Sequence, residues 1–121
     1  MVRNNIEQGN VYQDRNKYQW LLGCFMDKGS LLFSKDVEIK WSDHKKGEIK
    51  KSHPKNSGTT TLCILIKGHV TILFSEENKF TLKKQGDYSI WSPNKWHLTE
   101  VIKDSIILTI RWPSLRDKKP N

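Results

Sequence analysis

The stretch GDYSIWSPNKWHLTEV, Gly86 to Val101, decides how this chain is read. Its Gly-Asp pair marks a turn, and Tyr88 to Trp91 form a short alternating run of the kind a strand requires. Pro93 and Asn94 mark a second turn. His97 then enters a further alternating run.

Working outward, the period of two persists nearly everywhere. KFTLKKQGDYSIW reads as two strands hinged at Gln85-Gly86-Asp87. TTTLCILIKGHVTILF, from Thr59 to Phe74, reads as two strands hinged at Lys67-Gly68. WHLTEV and SIILTIRW are two more, with Lys103-Asp104 as the turn between them. In LLFSKDVEIKW, Val37, Ile39 and Trp41 alternate with Asp36, Glu38 and Lys40. DHKKGEIKKSHPKNSG is a polar connection carrying one short strand around Glu48–Lys51. In KYQWLLGCFMDKG the set Trp20, Leu22, Cys24 and Met26 has period two, and Gly23 argues against a helix. Short strands separated by Gly, Asn, Asp and Pro turns predict an all-β sandwich or barrel. The organisation expected is a polar, loosely ordered N-terminal segment (1–16), a barrel (17–115) and a polar tail (116–121).

The run TLCILI is apolar on both faces, since Leu62, Ile64 and Ile66 oppose Thr61, Cys63 and Leu65. A strand with one face in water alternates with polar residues, so this one is covered on both sides. One side faces the barrel interior. The other needs the N-terminal segment or a second subunit over it, and a homodimer through sheet faces is expected.

The 121 residues are the size of one domain. No apolar run approaches the ~20 residues that span a bilayer, and MVRNNIEQGN lacks the apolar core of a signal peptide. The expectation is a cytoplasmic protein with no membrane contact. The two cysteines, Cys24 and Cys63, lie in apolar runs without a CxxC pair and read as buried thiols. The net charge of +8 comes from scattered lysines in turns or beside acidic residues. No aromatic-basic or helix-turn-helix signature accompanies them, so a nucleic-acid partner is not expected.

These residues resemble the cupin superfamily, small jelly-roll barrels with two motifs joined by a variable hairpin. The resemblance covers about Leu31 to Pro113 and implies a cupin-type jelly-roll barrel, the double-stranded β-helix. In the second motif Gly86 and His97 stand at the family spacing. Pro93 falls one place late, Lys95 takes the second glycine position, and Val101 replaces the final asparagine. In the first motif Gly47, His53 and Gly68 match. Metal-binding members hold one divalent ion with three histidines and a glutamate. Here Lys55 stands where the second histidine belongs and Thr61 where the glutamate belongs. The resemblance narrows to short bacterial, often cyanobacterial, cupin-like proteins, some labelled signal peptidase. That activity needs a serine-lysine dyad beside a membrane anchor, and this sequence shows neither.

A lysine among the ligand positions and a missing carboxylate argue against a resident divalent ion, so no metal and no cofactor are expected. A second reading, a metal-dependent isomerase or dioxygenase, would use His97, His53 and a substitute ligand such as His44. The first reading is a small-molecule-binding or regulatory module. Its candidate ligand-binding residues are Trp41, His44, His53, Cys63, Trp91, His97 and Arg111. Tryptophans near strand ends suit an aromatic pocket. Trp96 and His97 are neighbours on a strand, so only one points inward. Arg111 lies in an otherwise apolar run and, facing inward, needs a carboxylate partner such as Glu38 or Glu100, or an anionic ligand. The ligand expected is a small carboxylate or a sugar-like acid.

Overall fold

The computed structural model describes residues 5–52 and 58–115. One short helix, α1 (Val11–Asp14), precedes seven strands: β1 (Trp20–Leu22), β2 (Glu38–His44), β3 (Ile49–Lys51), β4 (Thr60–Leu73), β5 (Lys79–Leu82), β6 (Tyr88–Trp91) and β7 (Leu98–Trp112). All the strand pairings are antiparallel. The fold is the all-β, jelly-roll barrel that the strand rhythm predicts.

Two expected hinges are absent. Lys67-Gly68 and Lys103-Asp104 do not end strands; β4 and β7 run through them without a break and pair from Thr60↔Trp112 to Leu73↔Leu98. The register shifts between Leu65 and Val70 instead, so the irregularity is a set of bulges that bends both strands together. Gly68 is required there. Its φ is 111°, and a Cβ would lie 2.6 Å from both the Asp104 carbonyl oxygen and the Ser105 Cα. A glycine in a bulge and a glycine in a turn carry the same sequence mark, which is why the two were not separable.

The bend divides the pairing into two layers. Residues 60–65 of β4 and 107–112 of β7 pair with each other, β2 flanks β7 and β6 flanks β4. Residues 70–73 of β4 and 98–100 of β7 are flanked by β5 and β3. The turn between β5 and β6 is the one expected at Gln85-Gly86-Asp87: Asp87 Oδ2 accepts from the backbone of Lys83 and Lys84 at 2.9 Å. These two strands pair with β4 and not with each other.

The apolar core is Leu65, Val70, Ile72, Leu82, Trp91, Val101 and Ile107, with Cys63 and Phe74 packed on it. It occupies the second layer and reaches into the first through Leu65, Trp91 and Ile107. Toward the other end the inward positions turn polar: Glu38, Ser42, Thr61 and Thr109 are all buried. On β2 the inward set is Glu38, Lys40, Ser42 and His44, and the apolar set Ile39 and Trp41 faces outward. Alternation alone assigns the two sets the opposite way.

The N-terminal segment also departs from expectation over residues 5–16. Asn10 Oδ1 accepts from the Tyr12 amide at 2.9 Å and caps α1. Arg15 Nη1 donates to the Trp41 carbonyl and to Asp43 Oδ2, both at 2.9 Å. Tyr12 packs edge-on against Trp41, with ring centroids 6.3 Å apart. A polar segment docked through hydrogen bonds has no apolar periodicity to announce it. The expected C-terminal tail, 116–121, lies outside the described residues.

Candidate functional site

The barrel interior holds a cavity of about 160 Å³. Lys40, Ser42 and His44 reach it from β2, Thr61 and Cys63 from β4, Trp91 from β6, and Thr109 and Arg111 from β7. Lys50 and Ser52 close it beside His97. The cationic lining residues are Lys40, Lys50, Lys51 and Arg111, and among the described residues no acidic one lines it.

Arg111 anchors one end. Its guanidinium lies 5.2 Å from the ring centre of Trp20, a side chain with 1% exposure, and the Lys40 ammonium lies 5.4 Å from the same ring. The fully buried tryptophan face holds two like charges near one another by cation–π attraction. Glu38 Oε2 lies 3.8 Å from Arg111 Nη1, an ion pair too long for a direct hydrogen bond. The other Glu38 oxygen accepts from Ser114 Oγ at 2.9 Å, and Ser114 Oγ accepts from the Cys24 amide at 2.9 Å. This chain of bonds joins the segment after β1, the start of β2 and the segment after β7. Arg111 Nε is buried and has no hydrogen-bond partner among the described residues.

Two histidines anchor the other end, and both are held neutral. Glu48 accepts at 3.3 Å from His44 Nδ1, which therefore carries the proton, leaving Nε2 to accept from Ser42 Oγ at 2.7 Å. Burial lowers the His44 pKa; the Glu48 hydrogen bond opposes it and the nearby Lys50 charge adds to it. His97 Nδ1 lies 2.8 Å from Ser52 Oγ, which also accepts from the His97 amide. Its ring sits 4.6 Å from that of Trp91 and 6.0 Å from that of Phe74. Burial pushes the His97 pKa down to about 4; a hydrogen bond with the Lys95 backbone opposes the shift and Arg111 reinforces it.

That shift fixes a pH dependence. An unfolded chain protonates His97 below its ordinary value of 6.5, and the folded chain only below about 4. Between those values the unfolded state holds more protons, so the His97 contribution is complete above pH 6.5 and is lost as pH falls toward 4. Urea unfolding of the wild type and His97→Gln at pH 7 and pH 4.5 is expected to show a smaller acid loss in the variant. An equal loss in both would contradict it.

Of the sequence-predicted residues, His44, Cys63, Trp91, His97 and Arg111 line the cavity. Trp41 does not: it faces outward under Tyr12, because the charged set of β2 is the inward one. His53, like Lys55, lies outside the described residues. Trp96 is 41% exposed while its neighbour His97 faces the cavity, as the strand alternation requires. Asn94, with φ 65°, holds the left-handed position of the second turn. Lys40, Lys50, Ser42, Ser52 and Thr109 were not anticipated as lining residues. The parity shared by Lys40 and His44 on β2 is the signal that points to Lys40. Burial also raises the Cys63 pKa, so its thiol stays protonated at neutral pH.

The donor set of the described residues does not suit a divalent ion. Among the described residues no three His, Cys, Asp or Glu side chains come together as a metal site. His44 already uses both ring nitrogens, and Lys40 and Arg111 add positive charge to the lining.

No protein-family model matches the sequence, and no curated protein matches it. Solved structures do match. KdgF from Halomonas sp. is 17% identical over 72% of this chain and 78% of its own, with a TM-score of 0.59. A cupin superfamily protein from Desulfitobacterium hafniense is 21% identical over 65% of this chain and 69% of its own, with a TM-score of 0.58. An HTH_3 family transcriptional regulator from Vibrio cholerae is 16% identical over 64% of this chain, with a TM-score of 0.56, and this chain spans only 43% of its length. At such identities the likeness is one of fold alone: the chain is a cupin-type jelly-roll barrel. Among the described residues no helix is long and apolar enough to cross a membrane.

Proposed function

We propose that the barrel is a binding module for a small carboxylate, working without a resident metal ion. The observation that carries this reading is Arg111: a guanidinium in the cavity wall, stacked over a buried tryptophan, with an unbonded buried Nε. A guanidinium fork matches a carboxylate in two-point geometry. The cationic lining without any acidic member favours an anion over a neutral or cationic guest. Ser52, beside the neutral His97 ring, and Thr109 offer hydrogen bonds to a hydroxyl or carbonyl of the guest. The volume refines the ligand class. A cavity of about 160 Å³ suits a small acid that carries a hydroxyl or carbonyl group.

Fold likeness to both a transcriptional regulator and KdgF does not choose between sensing and catalysis. The protonated Cys63 thiol and the donor set unsuited to a metal favour binding. Titration calorimetry and thermal shift on the full chain in chloride buffer, with short mono- and dicarboxylates, test the proposal. A ligand at ~100 times its Kd is expected to stabilise the fold by about 2.7 kcal/mol, a rise in Tm of several degrees. If no carboxylate shifts the transition or releases heat at about 10 mM, where even millimolar affinity registers, the reading fails.

A further inference from the structure

Among the described residues two serine–histidine pairs face the cavity, and one of them has a carboxylate behind it. Ser42 and His44 stand two residues apart on β2, so both point inward. Ser42 is 1% exposed and His44 8%. The Ser42 hydroxyl has a single proton. Its contact of 2.7 Å with His44 Nε2 outcompetes that of 3.3 Å with the Ile107 carbonyl, so it donates to the imidazole. His44 Nδ1 donates to Glu48 Oε1 at 3.3 Å, and the other Glu48 oxygen accepts from the Lys45 amide at 2.8 Å. The turn that carries Glu48 is pinned to Val101 of β7 by two backbone bonds: the Gly47 amide donates to the Val101 carbonyl at 2.8 Å, and the Val101 amide donates to the Glu48 carbonyl at 2.9 Å. At the other pair, Ser52 and His97, no carboxylate among the described residues bonds the ring.

We propose that Ser42, His44 and Glu48 form a hydrolytic site for small carboxylic esters, with Ser42 as nucleophile, His44 as general base and Glu48 as the group that positions the imidazole. A serine hydroxyl is a weak nucleophile until a neutral imidazole takes its proton, and a carboxylate on the far nitrogen fixes the tautomer that can do so. Burial keeps His44 in that neutral form at neutral pH. Ser42 Oγ bonds to the ester carbonyl carbon as its proton passes to His44 Nε2. The bond from that carbon to the leaving oxygen then breaks, and the proton goes to the departing alkoxide, which leaves as an alcohol. Water attacks the acyl group on Ser42 and gives a proton to His44, which returns it to Ser42 Oγ as the acid departs. Ester and water thus become acid and alcohol. The negative charge that develops on the carbonyl oxygen falls to the Lys40 ammonium and the Thr109 hydroxyl, which are paired across β2 and β7 and line the same cavity. The cavity of about 160 Å³ restricts the substrate to short esters. The site uses neither a metal ion nor Cys63. It does not rest on carboxylate binding at Arg111, so the failure of either proposal leaves the other standing.

The full chain with methyl acetate or vinyl acetate at neutral pH provides the test, read as acid released at constant pH. The wild type is expected to hydrolyse at least one of them above the buffer rate. Ser42→Ala and His44→Gln are expected to lose at least ~100-fold of that rate and Glu48→Gln at least ~10-fold, each with its fold checked by circular dichroism. Methanesulfonyl fluoride, a small serine-directed reagent, gives a second readout on the wild type alone: peptide mass spectrometry is expected to find the methanesulfonyl group on Ser42. A wild type that hydrolyses neither ester above the buffer rate overturns the proposal. So does hydrolysis that Ser42→Ala retains in full, or sulfonylation that spares Ser42.

Discussion

Arg111→Ala is expected to remove carboxylate binding, by at least ~100-fold, and to lower stability by about 2 kcal/mol. The two effects have separate causes. Binding loses the guanidinium that faces the guest. Stability suffers because Glu38, with 1% exposure, keeps its carboxylate in the interior without the nearby cation. The stability cost falls below the usual 3–5 kcal/mol for breaking a buried pair, because the pair is 3.8 Å long and Arg111 is only partly buried. A sequence reading that treats Arg111 as a ligand residue alone expects an intact fold; the Glu38 contact changes that expectation. Arg111→Lys keeps the charge and is expected to restore most of the stability but little of the binding, since the two-point fork is gone. Glu38→Gln is expected to move affinity the other way, because the guanidinium no longer shares a carboxylate. Calorimetry and urea unfolding on the three variants check this, and undiminished binding by Arg111→Ala would end the carboxylate proposal.

Gly68→Ala is expected to lower stability by about 3 kcal/mol or more, measured as a fall in the urea midpoint at constant slope. A left-handed φ of 111° costs a residue with a Cβ about 1–3 kcal/mol. The added carbon also lies 2.6 Å from the Asp104 carbonyl oxygen and the Ser105 Cα, and backbone cannot swing aside as a side-chain tip can. Ser105 Oγ sits in the same space, accepting from the His69 amide at 2.9 Å and donating to the Lys103 carbonyl at 2.6 Å. Gly47→Ala is the control: its φ of 92° brings similar backbone strain, but no atom lies within 4 Å of the added carbon. The two variants losing equal stability would show that the close approach at Gly68 contributes nothing.

The fold was legible because period-two runs and turn residues are local signals. β5 and β6 appear where KFTL and YSIW were read, and β3 emerges from a polar connection near Glu48–Lys51. Continuity was not legible. A bulge and a hairpin both place glycine and polar residues between apolar runs, so Lys67-Gly68 and Lys103-Asp104 looked like turns. The site was half legible. Arg111 and His97 stood out by chemistry, Arg111 in an apolar run and His97 at a family position. Lys40 and Trp41 were exchanged, because alternation names two faces without saying which is wet. Here the charged face is the enclosed one, held by Trp20 and by the Glu38, Ser114 and Cys24 bonds, and those partners are distant in sequence.

The unbroken passage of β4 and β7 through both layers has a mechanical meaning. Two sheets joined only by loops can shear or hinge open around a guest. Here both layers own parts of the same two backbones, bonded from Thr60↔Trp112 to Leu73↔Leu98, so neither can slide without tearing a ladder common to both. The barrel is therefore expected to unfold as one cooperative unit, and the carboxylate proposed above would enter through movement at the rim and not by parting of the walls.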